Sequence, residues 1–287
     1  MAWFLAIAFG LAWGMWGLLF ALGITPRVPS FQIWGTFPGF APAVAAIITR
    51  HWIEREGFAD AGMRPNLRAS WGYYLLAWLM PLGIAALITG LAVLLQVSTP
   101  DPTLARAYAV LSPETGPPAP LLSFPLPVMP LLLSLFTTVL MWGEEFGWRG
   151  YFQIRIFEGS PLSAAVVTGL VWAWWHTPMI LTGGDQYAAT PLLGMIVFPI
   201  TGVLLSIIWA WLRKKTGSVW VCCLAHGATN SVGSLMVVSL FYGGPNWTLV
   251  SYFGLLGWIP LGAICLWLIA RGEFAPPAEQ PAPGGPP

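Results

Sequence analysis

The sequence predicts an all-α fold: a polytopic bundle of transmembrane helices with about eight spans. Three observations predict it. Of 287 residues, 57% are hydrophobic and only 8% are charged, whereas a soluble domain carries roughly 25% charged residues. No soluble fold hides that much apolar surface, so the bilayer must be the solvent for most of it. The apolar residues also fall into segments near the length of about 20 residues that a helix needs to cross.

Taken in order, the expected spans run at about 2–22, 31–49, 71–96, 128–157, 161–182, 190–212, 217–241 and 248–270. The first carries no basic region and no small-residue cleavage site, so it reads as a retained span and not as a signal peptide. The second is the weakest, because Pro38 and Pro42 interrupt it. Membrane helices tolerate proline where neighbours satisfy the freed carbonyls.

Charge placement orients these spans. Arg50, Arg55, Arg64, Arg68, Arg149, Arg155, Arg213, Lys214, Lys215 and Arg271 share one side, and only Arg27 and Arg106 fall on the other. The positive-inside rule then places both termini in the cytoplasm. The proline-rich loop at 97–127 lies outside in this topology, with a short interfacial helix expected near 104–111. The tail from 273 is rich in Pro, Gly, Ala and Glu and reads as disordered. The resulting division is 1–127 for spans one to three and the long loop, 128–240 for a catalytic domain, 241–272 for the last span and 273–287 for the tail.

The formal net charge of +1 gives no reason to expect nucleic acid as a partner. Cys222, Cys223 and Cys265 sit in apolar runs and read as buried thiols, not as a disulfide framework or a metal site. There is no convincing internal repeat, which weighs against a transporter built from two related halves.

Ionisable groups inside a span are costly and usually functional. They concentrate in three places: Glu144, Glu145 and Arg149; His176; and His226 with Asn230. His51 sits in a basic loop and reads as solvated. Glu145 and Arg149 are four apart and face each other on a helix. Glu144 is turned away by about 100°, which frees it to face a substrate or a water. Two carboxylates with one arginine leave the negative surplus that a general base or a metal site needs. The bland alternative is an ion pair that only fixes helix packing, and it leaves the second carboxylate unexplained. His226 and Asn230, also four apart, suit an oxyanion, a metal or a simple bond between helices. His176, in Trp172-Ala173-Trp174-Trp175-His176, on its own reads as a satisfied core residue.

Depth supports combining the clusters. At 1.5 Å per residue, His176 lies about 22 Å and His226 about 13 Å from the cytoplasmic ends of their helices. Glu144 reaches a similar level, about 20 Å, if its helix continues past Arg149 to Phe157.

These residues resemble the CPBP family, which covers CAAX prenyl endopeptidases and bacteriocin-processing or immunity proteins. The resemblance rests on Glu144-Glu145-Phe146-Gly147-Trp148-Arg149, Trp172-Ala173-Trp174-Trp175-His176 and His226-Gly227-Ala228-Thr229-Asn230, in that order on successive helices. It implies an intramembrane endopeptidase in the cell membrane, acting on a membrane-embedded or lipidated peptide. By the same resemblance, Glu144 activates water with help from His176, Glu145 and Arg149 orient it, and His226 and Asn230 stabilise the oxyanion. Zinc held by Glu144, His176 and His226 is one version of the chemistry, and a metal-free route through the same residues is the other. One departure is Trp172, where the family often has Phe; both are large aromatics, and little change of role is expected. A non-catalytic immunity or scaffold factor is the competing reading, and a small-solute transporter a more distant one.

Overall fold

The computed structural model describes residues 1–26, 28, 30–101, 128–183, 187–234, 240–241 and 246–275. The segment near 104–111, Arg27, Arg106 and the tail from 276 lie outside the described residues. The described residues are helical throughout and form no strand. The elements are α1 (Ala2–Ala21), α2 (Phe31–Trp34), α3 (Ala41–Ile48), α4 (Leu67–Leu94), α5 (Val128–Gly147), α6 (Pro161–Trp175), α7 (Thr177–Leu181), α8 (Pro191–Thr216), α9 (Trp220–Ala228) and α10 (Trp258–Ala270). Helices α1, α4 and α8 are long and apolar enough to cross a membrane.

The way each helix divides its surface explains its place. Along α1, Phe4, Ala8, Ala12 and Trp16 are buried, one residue every fourth position. That spacing is a single stripe down the helix, while Trp3, Leu11 and Leu18 on other faces are exposed, as a lipid solvent permits. Two indoles lock this stripe to α6: Trp13 Nε1 donates to the Trp175 carbonyl at 2.9 Å, and Trp175 Nε1 donates to the Ala8 carbonyl at 3.2 Å. Helix α8 is buried along most of its length and carries Pro199 in its interior.

Glycines set how closely the helices approach. In α5, Gly143 and Gly147 are spaced by four and face the proline-interrupted segment. A Cβ on Gly143 would lie 2.7 Å from the Gly39 carbonyl oxygen, and one on Gly147 would collide with Pro42. Gly169 of α6 meets Gly202 of α8 in the same way, 2.7 Å from its carbonyl oxygen. In a bilayer there is no hydrophobic drive between helices, so such small-residue contacts carry the association.

Three expectations change. The segment at 31–49 is not one helix: Pro38 and Pro42 split it into α2, a 3-10 turn at Phe37–Phe40 and α3. The α5 helix continues past Arg149, but as a widened π turn, Trp148–Phe152, that stops short of Phe157. Arg155 is there drawn into an ion network, and the chain reverses through Phe157 (φ +51°) and Gly159 (φ +80°) before Pro161 starts α6. The last helix begins at Trp258, after turns and a 3-10 segment at Leu255–Gly257.

The charges gather at one end of the bundle. The Met1 amine lies 3.7 Å from Glu54, and Arg155 bonds Glu56 and reaches Asp60 at 3.1 Å. Arg50 is fully buried, donating to Asp60 and the Gly57 carbonyl at 2.7 Å and to the Gly150 carbonyl at 2.9 Å. Partial burial disfavours the charged form of Asp60. The hydrogen bond and charge of Arg50, together with Arg155, outweigh that and hold its carboxyl below 3.8. His51 is exposed, as expected of a loop residue.

If the α5 contact is as rigid as proline and backbone make it, Gly147→Ala has no flexible neighbour to displace. Overpacking of this kind typically costs about 1–3 kcal/mol. Thermal unfolding in detergent should show a lowered midpoint for Gly147→Ala and an unchanged one for Gly14→Ala, where the added Cβ meets nothing.

Candidate active site

The site is assembled from α5, α6, α8 and α9. Glu145 and Arg149, one helical turn apart, form a fully buried ion pair with Arg149 Nη1 donating to Glu145 Oε1 at 2.8 Å. His226 of α9 places Nδ1 2.9 Å from the same oxygen. A carboxylate already paired with arginine accepts, so Nδ1 carries the proton and donates. The Arg149 guanidinium lies 4.8 Å from the Trp209 ring centroid and 5.5 Å from that of Trp172, which adds cation–π attraction in a desolvated place. The His226 ring stacks on Trp209 at 4.7 Å and meets Trp172 edge-on at 5.4 Å.

Glu144 points elsewhere. Its Oε2 accepts the Trp172 indole N–H at 2.7 Å. A Cβ on Gly39 would lie 3.7 Å from its Oε1, so that glycine leaves the carboxylate uncovered. His176 lies at the C-terminal end of α6, with Nδ1 2.9 Å from the Trp172 carbonyl. The carbonyl can only accept, so Nδ1–H donates and Nε2 is left for proton transfer.

A cavity of about 450 Å³ brings Glu144, His176 and Asn230 together. Trp16, Phe31, Trp175 and Met179 supply much of its apolar wall. Glu145, Arg149 and His226 do not line it; they stand behind Glu144 as a buried support. His226 and Asn230, read as one face of one helix, take different jobs. The α9 helix widens into a π turn at Thr229–Ser234, and Asn230 turns to the cavity with its Nδ2 3.5 Å from Met141 Sδ, while His226 turns to Glu145. Cys222, Cys223 and Cys265 are free and buried.

Two contributions were not legible from the motifs. Trp172 was expected to behave as phenylalanine does, yet its indole N–H bonds Glu144, and a phenyl ring has no donor to offer. Trp16 and Phe31 come from the N-terminal spans, which carry no motif. For zinc, the donors do not converge: among the described residues no group of three His, Cys, Asp or Glu side chains is arranged to hold a metal ion. Trp172 stands on Glu144 and beside both histidine rings, so Glu144, His176 and His226 do not form a three-ligand set.

Removing one partner of a buried ion pair strands the other, at a cost of about 3–5 kcal/mol. Glu145→Gln should therefore lower the unfolding midpoint sharply. Glu144→Gln should lower it little, because its carboxylate has no buried cation to abandon. Circular dichroism melts of the two variants in the same detergent separate these outcomes.

Comparison with curated proteins gives no match. A family comparison does: residues 125–232 match the type II CAAX prenyl endopeptidase Rce1-like model. All three polar clusters fall inside the matched residues, so the stretch of this chain that builds the site is a member of the Rce1-like family of type II CAAX prenyl endopeptidases.

Proposed function

We propose that the protein is an intramembrane endopeptidase that uses Glu144 to activate water against a peptide bond of a membrane-associated substrate. The family match supports a CAAX-type intramembrane protease in general. The observation that carries the finer reading is that an acid, an imidazole and an amide from three helices line one cavity.

In this reading Glu144 takes a proton from water, and the water oxygen attacks the scissile carbonyl carbon. The carbonyl oxygen becomes an oxyanion, and Asn230 donates an amide N–H to it. Collapse breaks the C–N bond, and the proton held by Glu144 passes through His176 to the leaving amine. Trp172 keeps one oxygen of Glu144 fixed, so the other faces the water. Glu145, Arg149 and His226 hold α5 and α9 in register behind it, and His226 assists the oxyanion side from beneath Asn230. The donor geometry supports this route through the protein's own groups, and no step is drawn through zinc. The aromatic wall suits a lipidated or membrane-inserted peptide, in keeping with a family that acts on prenylated CAAX substrates. About eight spans, with both termini cytoplasmic and the cell membrane as location, complete the proposal.

A reporter cleavage assay in membranes tests it. Glu144→Ala should abolish cleavage, and Glu144→Gln should reduce it by about 10²–10⁴-fold, the usual contribution of a positioned base. Trp172→Phe should keep the fold and slow cleavage by roughly 10- to 100-fold, since hydrogen bonds to charged groups are worth about 1.5–3 kcal/mol. Cleavage undiminished in Glu144→Ala would sink the reading. Metal analysis decides the zinc version: the donor arrangement predicts no stoichiometric zinc and activity that survives a chelator. One zinc per chain that disappears in His176→Ala would restore it.

A further inference from the structure

We propose that the site is entered from the end of the bundle opposite its charged face, so that its substrate is a peptide presented on the extracytoplasmic side of the membrane. The proposal rests on the peptidase reading above and names the substrate class for that same site.

The charged face is fixed by contacts. Glu54, Asp60 and Glu273 tie together the start of α1, the ends of α3, α5 and α8, and the exit of α10. Arg213 donates to the Asp60 carbonyl at 2.9 Å, Lys214 donates to the Glu273 carbonyl at 2.6 Å, and Lys215 pairs with the Glu273 carboxylate at 2.7 Å. With Met1, Arg50 and Arg155 already in the network, most of the basic residues expected on one side of the membrane stand together.

The cavity wall begins well away from that face. Trp16 lies 15 residues along α1 from Met1, and Leu140 lies 15 residues before Arg155 on α5. At 1.5 Å per residue each is about 22 Å from the charged end. The floor, Glu144 and Asn230, is the nearest part. The rim is formed by Pro26, Gly35, Thr36 and Gly183. All four belong to connections at the far end: past α1, around α2 and past α7. The wall holds no lysine or arginine.

The route from the charged face is packed shut. Phe4, Trp148, Tyr151, Phe152 and Arg149 are buried to 3% exposure or less. Phe4 meets Trp148 edge-on at 5.6 Å and stacks on Phe152 at 5.7 Å, and Trp148 meets Trp175 at 6.1 Å. A peptide arriving there would have to displace this cluster and the Glu145–Arg149 pair. A peptide arriving at the rim meets an open wall that leads to Glu144. The positive-inside rule puts the charged face in the cytoplasm, so the rim faces outward. A soluble cytoplasmic C-terminus is then excluded from the site. An exported peptide, or the outer segment of a membrane-anchored one, reaches it.

Thiol accessibility tests this without turnover. The native cysteines are buried to 3% exposure or less, so the unmodified chain serves as the blank. Thr36→Cys at the rim and Glu56→Cys on the charged face are exposed positions, probed in sealed vesicles with a membrane-impermeant maleimide. Right-side-out vesicles should label Thr36→Cys and spare Glu56→Cys; inside-out vesicles should do the reverse. Labelling of both from one side, the opposite pattern, or no labelling of Thr36→Cys from outside overturns the proposal. The expected labelling in a chain that cleaves no reporter would fault the peptidase reading alone. The opposite labelling in an active chain would fault only the sidedness.

Discussion

One carboxylate oxygen organises the molecule. Glu145 Oε1 accepts from Arg149 within α5 and from His226 of α9, and the guanidinium lies between two indoles, Trp172 from α6 and Trp209 from α8. Four helices therefore meet at one buried ion pair. Ionised groups at such depth are tolerated only when paired, so the pair dictates how the helices are rotated against one another. Once they are set, the neighbouring acid is committed by geometry: Glu144 has to face away, and the only side left to it is the cavity. The residue that reads as reactive is exposed because its neighbour is not.

Two structural devices let that arrangement form. The first is close approach through small residues. Gly143 and Gly147 flank the acidic pair and bring the proline-interrupted segment against α5, and Gly227, next to His226, sits against Ser134 and Thr137 of α5. The second is local widening. Both polar segments that end in the site, after Gly147 and after Ala228, pass into π turns. Such turns insert one extra residue per turn and recur at functional sites. Here the widening re-aims Asn230 toward the cavity while His226 keeps its hold on Glu145.

Much of this was legible in the sequence, and the gaps have physical causes. Composition and run length are enough to find helices such as α1, α4 and α8, whose ends fall close to the expected ones, because apolar length is all a lipid solvent asks. Spacing alone predicts the Glu145–Arg149 pair, since an undistorted helix stacks residues four apart. The same rule misleads for His226 and Asn230, where the helix widens between the two. It also overextends α5, because the reach to Phe157 ignores the pull of the ion network on Arg155. Trp172 was visible as a departure from phenylalanine, but size was weighed and the indole N–H was not. Trp16 and Phe31 gave no signal, since one aromatic in a lipid-facing helix looks like any other until the partner across the gap is known.

The cavity itself has a thermodynamic consequence. About 450 Å³ walled in part by Glu144, His176, Asn230 and Thr36 is too polar to stand dry, and it has the capacity of roughly 15 water molecules at their liquid share of volume. Any chain that docks there sends most of that water back to bulk. Binding is then coupled to water activity, and solutes too large to enter the cavity pull on the same equilibrium. The protein carries a small osmotic compartment inside the hydrocarbon, and its occupancy sets the baseline against which a substrate competes.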